Sequence, residues 1–277
     1  AELPDASGPI GGDLGYLKYG VFVGDNRTFS ITMASQTGDR ELRNLLLDPE
    51  VFLSIAAEFP ATAPYVEAGR AEPLTDVNVM AGLLNRERRF TTSEGEPLVL
   101  GLHAVGDAHT CTNPLYGRGC SLAVAQAQLI ADATATHGLD HLARARGYEA
   151  ASREQIHPWY RAATAQDAAN RADAERRAAI DAGELDPADA AATEDPMRAL
   201  LRDGLLPAVR LDPMVFRAFL RMFNLLESPD SLMTNGDVIA RVMQVYQDRD
   251  QRPPEPSIGP DRSALFASLA LSSTAVP

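Results

Sequence analysis

Residues 98–133 read LVLGLHAVGDAHTCTNPLYGRGCSLAVAQAQLIADA and hold the types and spacing that could do chemistry. An apolar run ends in Gly106-Asp107, a polar loop with Pro114 follows, and Gly117-Arg118-Gly119 leads into an Ala/Leu-rich stretch beginning Cys120-Ser121. A carboxylate at the C-terminal end of a strand sits where open α/β sheets bind ligands. Asp107 at that position accepts hydrogen bonds from the hydroxyls of a sugar-like chain. Gly117 and Gly119 let the backbone approach a flat ring with no Cβ between. The free N–H groups at a helix start, here Gly119 to Leu122, favour negative charge by about 0.3–1 kcal/mol, rising to about 2 in a buried geometry. The chemistry expected is a polyol held by one carboxylate and an electron-rich ring edge held by backbone amides.

The elements that must position these residues follow from periodicity. Residues 98–105 are apolar but for His103, the pattern of a strand buried on both faces in a parallel sheet. From Gly119 onward Leu122, Gln126, Leu129 and Ala133 recur at helical spacing. Upstream, residues 15–23 and 28–35 are β-rich and flank Gly24-Asp25-Asn26-Arg27, which predicts a hairpin. Phe29, Ile31 and Met33 alternate with Ser30, Thr32 and Ala34, so one face is expected inside and the other lined by small polar groups. Residues 42–47 and 49–58 read as short helices separated by Asp48-Pro49, a cap and a first-turn proline. Residues 73–80 read as a strand, and 83–90 as one more with a charged end.

Downstream the pattern is helical. Residues 141–180 form one long helix or two, with Pro158 expected to kink or break it. Asp186-Pro187 marks a turn or helix start in an acidic Ala-rich stretch, and residues 197–203, 213–226 and 235–248 read as further helices. The breaker at 252–256 leaves the last twenty residues as either an appended element or a loose tail. Trp159 and Tyr160 are expected to anchor the long helix, and His103 to be a hydrogen-bonded core histidine.

Gly106-Asp107-Ala108, Pro114 and Gly117-Arg118-Gly119 together resemble the second FAD-binding fingerprint of the para-hydroxybenzoate hydroxylase-like flavoprotein monooxygenases. The family pattern is Gly-Asp-Ala-Ala-His, a few residues, Pro, two residues, Gly-x-Gly, then a helix. The resemblance implies that Asp107, after Gly106, binds the ribityl chain and that Pro114 lies beside the isoalloxazine. It further implies that Gly117, Gly119 and the amides of Cys120 and Ser121 face the N1/O2 edge of the ring. Asn113 and Tyr116 flank that ring position, either touching substrate or packing the loop. His109 stands one place before the family histidine and takes no role; Cys120 stands where a larger apolar residue is usual.

The Gly-x-Gly-x-x-Gly segment that binds the ADP half of FAD is not seen. Residues 8–15 have glycines at the wrong spacing, and Gly24-Asp25 belongs to the hairpin turn rather than to an NAD(P)H-side motif. The chain, which starts at Ala1, is therefore expected to be the C-terminal part of a longer flavoprotein, a truncated domain whose adenine site is lost, or a flavoprotein completed by a second polypeptide.

The expected fold class is α+β with an α/β component. A mostly antiparallel substrate-domain-like sheet with short helices occupies 1–97, and the C-terminal part of an FAD-binding domain occupies 98–137. A helical region at 138–251 and a tail at 252–277 complete it. The function expected is an FAD-dependent oxidoreductase, monooxygenase-like, using NAD(P)H on a small organic substrate. The alternatives are a geranylgeranyl-reductase-type enzyme and a non-catalytic binding or assembly fragment. No catalytic acid or base is assigned.

A net charge of −13 over 277 residues opposes nucleic acid and anionic membranes, although Arg86, Arg88 and Arg89 make one basic patch. Cys111 and Cys120 form no disulfide framework or metal cluster and read as reduced, packed thiols. No stretch has membrane-spanning length and no signal peptide is read, so a cytoplasmic location is expected.

Overall fold

The structure, a computed structural model, describes residues 10–253 and 257–274. The chain divides into two compact units, one of residues 1–81 with 253–277 and one of residues 82–252.

The first unit is built on a three-stranded antiparallel sheet of β1 (Gly11–Asp13), β2 (Leu17–Val23) and β3 (Phe29–Ser35), in that order. Leu17 pairs with Ser35 and Val23 with Phe29, so the hairpin closes through residues 24–28 as expected. Asn26 and Arg27 take left-handed backbone, which the short polar Asn side chain tolerates. Helix α1 (Arg40–Leu45) is capped by Asp39, whose carboxylate accepts the Leu42 N–H. Helix α2 (Pro49–Ala57) is capped by Asp48, which accepts from Glu50 and Val51 with Pro49 in the first turn. A short helix α3 (Ala63–Val66) follows.

The inward residues of β2, Leu17, Tyr19 and Val21, are buried, and Tyr19 stacks on Phe59 at 4.3 Å between ring centres. The alternation expected in β3 is blunted, because its residues are half-buried on both faces except Ser30. The C-terminal helix Arg262–Thr274 is an appended element of this core: Leu265 is fully buried in it, and Arg262 pairs with Asp39 at 2.8 Å.

In the second unit two sequence-based expectations are overturned. Residues 98–105 form no strand, and Leu98, Val99, Leu100 and Leu102 are exposed. A strand that is apolar on both faces holds its place only between neighbouring strands and under covering layers. Here the neighbouring sheet is β4 (Arg86–Glu87) paired with β5 (Thr110–Cys111), two residues each, and Leu98 N–H to Phe90 O belongs to a single antiparallel bridge, Thr91 with Pro97, that does not extend into residues 99–105. Both sheets among the described residues are antiparallel, so the parallel α/β sheet is not formed. Of residues 83–90 only Arg86 and Glu87 are strand, and in the first unit residues 73–80 have no regular structure, with Leu74, Val79 and Met80 exposed.

The helical expectations hold. Helix α4 (Gly119–His137) buries Leu122, Gln126, Leu129 and Ala133, the stripe read from the sequence. Helices α5 (His141–Gln155) and α6 (His157–Asp181) are separate, broken at Ile156 with Pro158 in the first turn of α6. Helices α7 (Pro187–Ala192), α8 (Pro196–Leu200), α9 (Leu206–Leu211), α10 (Pro213–Phe223), α11 (Ser231–Thr234) and α12 (Gly236–Gln247) follow, with a π turn at Leu201–Leu205. Leu122, Tyr148, Ile156, Trp159, Val215 and Val242 share the core of this unit. No helix among the described residues is long and apolar enough to cross a membrane.

Candidate functional site

The turn after residue 105 is set by Gly106. Its φ is +63°, which favours glycine, and a Cβ there would lie a tight 3.2 Å from the Cβ of Ala123 on α4. A 3₁₀ turn, Gly106–Ala108, closes with His109 N–H on Gly106 O at 2.9 Å. The Gly106 N–H donates to Gln126 Oε1 at 2.7 Å, and Gln126 is wholly buried. An N–H only donates, so the amide orientation of Gln126 is settled, and its Nε2 faces His109 Nδ1 at 2.9 Å. That nitrogen must accept, which puts the imidazole proton on Nε2. Burial lowers the His109 pKa and keeps the ring neutral. The hydroxyl of Thr110, 2.7 Å from Nδ1, joins the same network.

Sequence reasoning placed Gln126 in an apolar stripe and gave it no task. A glutamine facing inward among leucines was the available signal, because a buried amide must find partners.

Asp107 is exposed, and among the described residues its carboxylate has no partner. Its backbone is clamped: Arg88 Nη1 donates to Asp107 O at 3.0 Å and to Ala108 O at 3.1 Å. Arg88, read from the sequence as part of a basic patch, therefore holds the turn.

The loop before α4 is equally fixed. Pro114 opens a 3₁₀ turn, Pro114–Tyr116, which Gly117 ends in left-handed conformation at φ +65°, with its N–H on Pro114 O at 2.9 Å. Asp167 on α6 gathers the loop. It accepts from Asn113 Nδ2 at 2.8 Å, Asn85 Nδ2 at 2.6 Å and the Tyr116 hydroxyl. Burial would raise Asp167, but these three hydrogen bonds outweigh it and hold the carboxyl below its ordinary value. Burial and the same carboxylate push the Tyr116 phenol well up. Asn113 and Tyr116 thus pack the loop, the plainer of the two roles open to them.

Arg118 precedes α4 and lies over Trp159, 4.9 Å from the ring centre. Its side chain offers no cap to the helix. Leu122 N–H, bonded to Arg118 O at 2.9 Å, is the first amide of α4 with a carbonyl partner. The amides of Gly119, Cys120 and Ser121 precede that bond, and Cys120 and Ser121 are exposed. A Cβ at Gly117 or at Gly119 would meet nothing within 4 Å. Gly117 needs its positive φ; Gly119 has no such need, so nothing in the fold calls for glycine there. Cys111 and Cys120 are both free thiols.

Gly106 is thus brought against α4, through the Ala123 contact and the Gln126 bond, while Pro114 through Ser121 form the loop and start of that same helix. Residues 106–121 offer an exposed carboxylate with no partner among the described residues, an open glycine backbone and a helix start with no side-chain cap. No protein-family model matches the chain, and no curated protein or solved structure is significantly similar to it.

Proposed function

We propose that residues 106–121 form the ribityl and ring portion of an FAD site, and that the chain serves an FAD-dependent oxidoreductase of the monooxygenase-like class. The carrying observation is Asp107: a clamped backbone holds an exposed carboxylate, with no partner among the described residues, next to Gly106, which packs on Ala123 and Gln126 of a 19-residue helix whose start has no side-chain cap. In this reading Asp107 accepts from the ribityl hydroxyls and Pro114 stands beside the ring. Gly117 and Gly119 leave the backbone open to it, and the amides of Gly119, Cys120 and Ser121 donate to its N1/O2 edge. When bound, FAD would supply two-electron redox chemistry between NAD(P)H and a small organic substrate. Monooxygenation ranks ahead of double-bond reduction of the geranylgeranyl-reductase type. The test compares FAD, FMN, riboflavin and lumiflavin by fluorescence quenching. Tight binding of the ribityl-bearing flavins over lumiflavin supports the reading, and equal weak binding of all four contradicts it.

A second reading, an assembly fragment, is favoured by the exposed apolar residues Leu98, Val99, Leu100 and Leu102. In it, residues 98–105 join a sheet supplied from outside the chain, which also brings the adenine half of the site. Hydrogen exchange tests it: fast amides at 99–105 in the chain alone must become protected when flavin binding is restored by added polypeptide.

A further inference from the structure

In the second unit the guanidinium of Arg144, on α5, gathers two histidines. Its Nε donates to His103 Nε2 at 3.3 Å, its Nη1 to Gly138 O at 2.9 Å and its Nη2 to His141 Nδ1 at 2.8 Å. An arginine side chain only donates, so each imidazole nitrogen facing it must present a lone pair. Both rings are therefore neutral in this arrangement, with the proton of His103 on Nδ1 and that of His141 on Nε2. Protonating either ring turns its acceptor into a donor and sets a second cation against the guanidinium. The same residues hold the chain before Gly106 on α5. A Cβ at Gly101 would lie 3.7 Å from His141 Nδ1, and the His103 ring meets Tyr148 edge-on at 5.6 Å between ring centres. Residues 99–103 are neither helix nor strand, and Val99, Leu100 and Leu102 among them are exposed.

We propose that Arg144, His103 and His141 form an acid-opened latch, which docks residues 99–103 on α5 at neutral pH and releases them as the two rings take up protons. Burial and the charge of Arg144, with His141, already hold the His103 pKa below its ordinary value. Docking is therefore complete above the free-imidazole value of about 6.5 and is lost as pH falls below it. The other titratable groups around His103 are Tyr148, His109 and Glu149, and Glu149 is paired with Arg153 at 3.4 Å. Near His141, the Asp140 carboxylate is occupied by the Ala143 N–H at 2.9 Å, and His137 at the end of α4 lies against Gly147. Two contacts outside the histidines bound the released stretch: the Glu96–Arg146 ion pair at 2.6 Å on one side, and the Tyr148 hydroxyl on Ala104 O at 2.6 Å on the other. Neither Asp107 nor the start of α4 takes part, so the latch stands apart from the flavin reading.

The test records ¹H–¹⁵N heteronuclear NOEs of the whole chain from about pH 8 to about pH 5, a readout of mobility on the picosecond-to-nanosecond scale. The NOEs of residues 99–103 should fall with a midpoint below about 6.5, while those of Ala104 and α4 hold. Trp159 fluorescence should stay constant over the same range, because the core of the unit remains folded. In the double variant His103→Gln with His141→Gln, the side-chain carbonyls accept from Arg144 at every pH, and the fall should vanish. Arg144→Met should leave residues 99–103 mobile at the alkaline end and insensitive to acid. No fall in the native chain would overturn the proposal. So would a fall that persists in the double variant, a segment still ordered in Arg144→Met, or a fall that coincides with a change in Trp159 fluorescence, which is unfolding of the unit.

Discussion

Gln126 holds the Gly106 turn, because one buried amide serves both the Gly106 N–H and His109 Nδ1. Gln126→Leu keeps the volume but strands two buried polar groups, and we predict a loss of about 2–4 kcal/mol by urea unfolding. Asp107→Ala should change stability by less than about 0.5 kcal/mol, since the side chain is exposed and unpaired. His109 and His103 both have pKa values lowered by burial. For such a group the unfolded chain binds the proton first as pH falls. Stability is therefore full above the unfolded value of about 6.5 and declines as pH drops towards the folded values. His109→Gln should flatten that decline, and a slope unchanged by it would contradict the neutral, desolvated ring.

Elements whose cause is local were legible in the sequence. The hairpin rested on Gly24 to Arg27, α2 on Asp48-Pro49, the α5/α6 break on Pro158, and the buried face of α4 on Leu122, Gln126, Leu129 and Ala133. Residues 98–105 misled for a physical reason: apolarity records a preference for burial and says nothing of whether partner strands exist to supply a ladder. We predict that amides 99–105 exchange orders of magnitude faster than the centre of α4. The loop before α4 was legible only as a turn. Its anchor, Asp167, lies 54 residues from Asn113 along the chain, beyond any local pattern. Asp167→Ala should cost about 1–3 kcal/mol by releasing three donors at once, measured as a fall in the urea midpoint.

At the scale of the molecule, each unit has its own apolar core. The sequence placed the last twenty residues only as an appended element or a tail, because its decisive contact joins Leu265 to a core made by residues 17–61. The single tryptophan, Trp159, lies in the core of the second unit and reports on that unit alone. Leu265→Ala, at a fully buried site, should cost the first unit about 2–5 kcal/mol and lower the part of the far-ultraviolet transition that belongs to it. The Trp159 fluorescence transition should stay in place; a matching shift there would mean that the two cores unfold as one.

The exposed Asp107 carboxylate and the uncapped start of α4 are the two features on which a flavin site at residues 106–121 is proposed. The most direct measurement is titration of the chain and of Asp107→Ala with FAD, following the visible spectrum and fluorescence quenching. Saturable binding by the native chain is expected, weakened at least tenfold by Asp107→Ala with unchanged folding, the share expected of hydrogen bonds to a charged acceptor. Identical titrations of the two proteins, or no binding by a folded native chain even when a polypeptide carrying the adenine site is supplied, would contradict it.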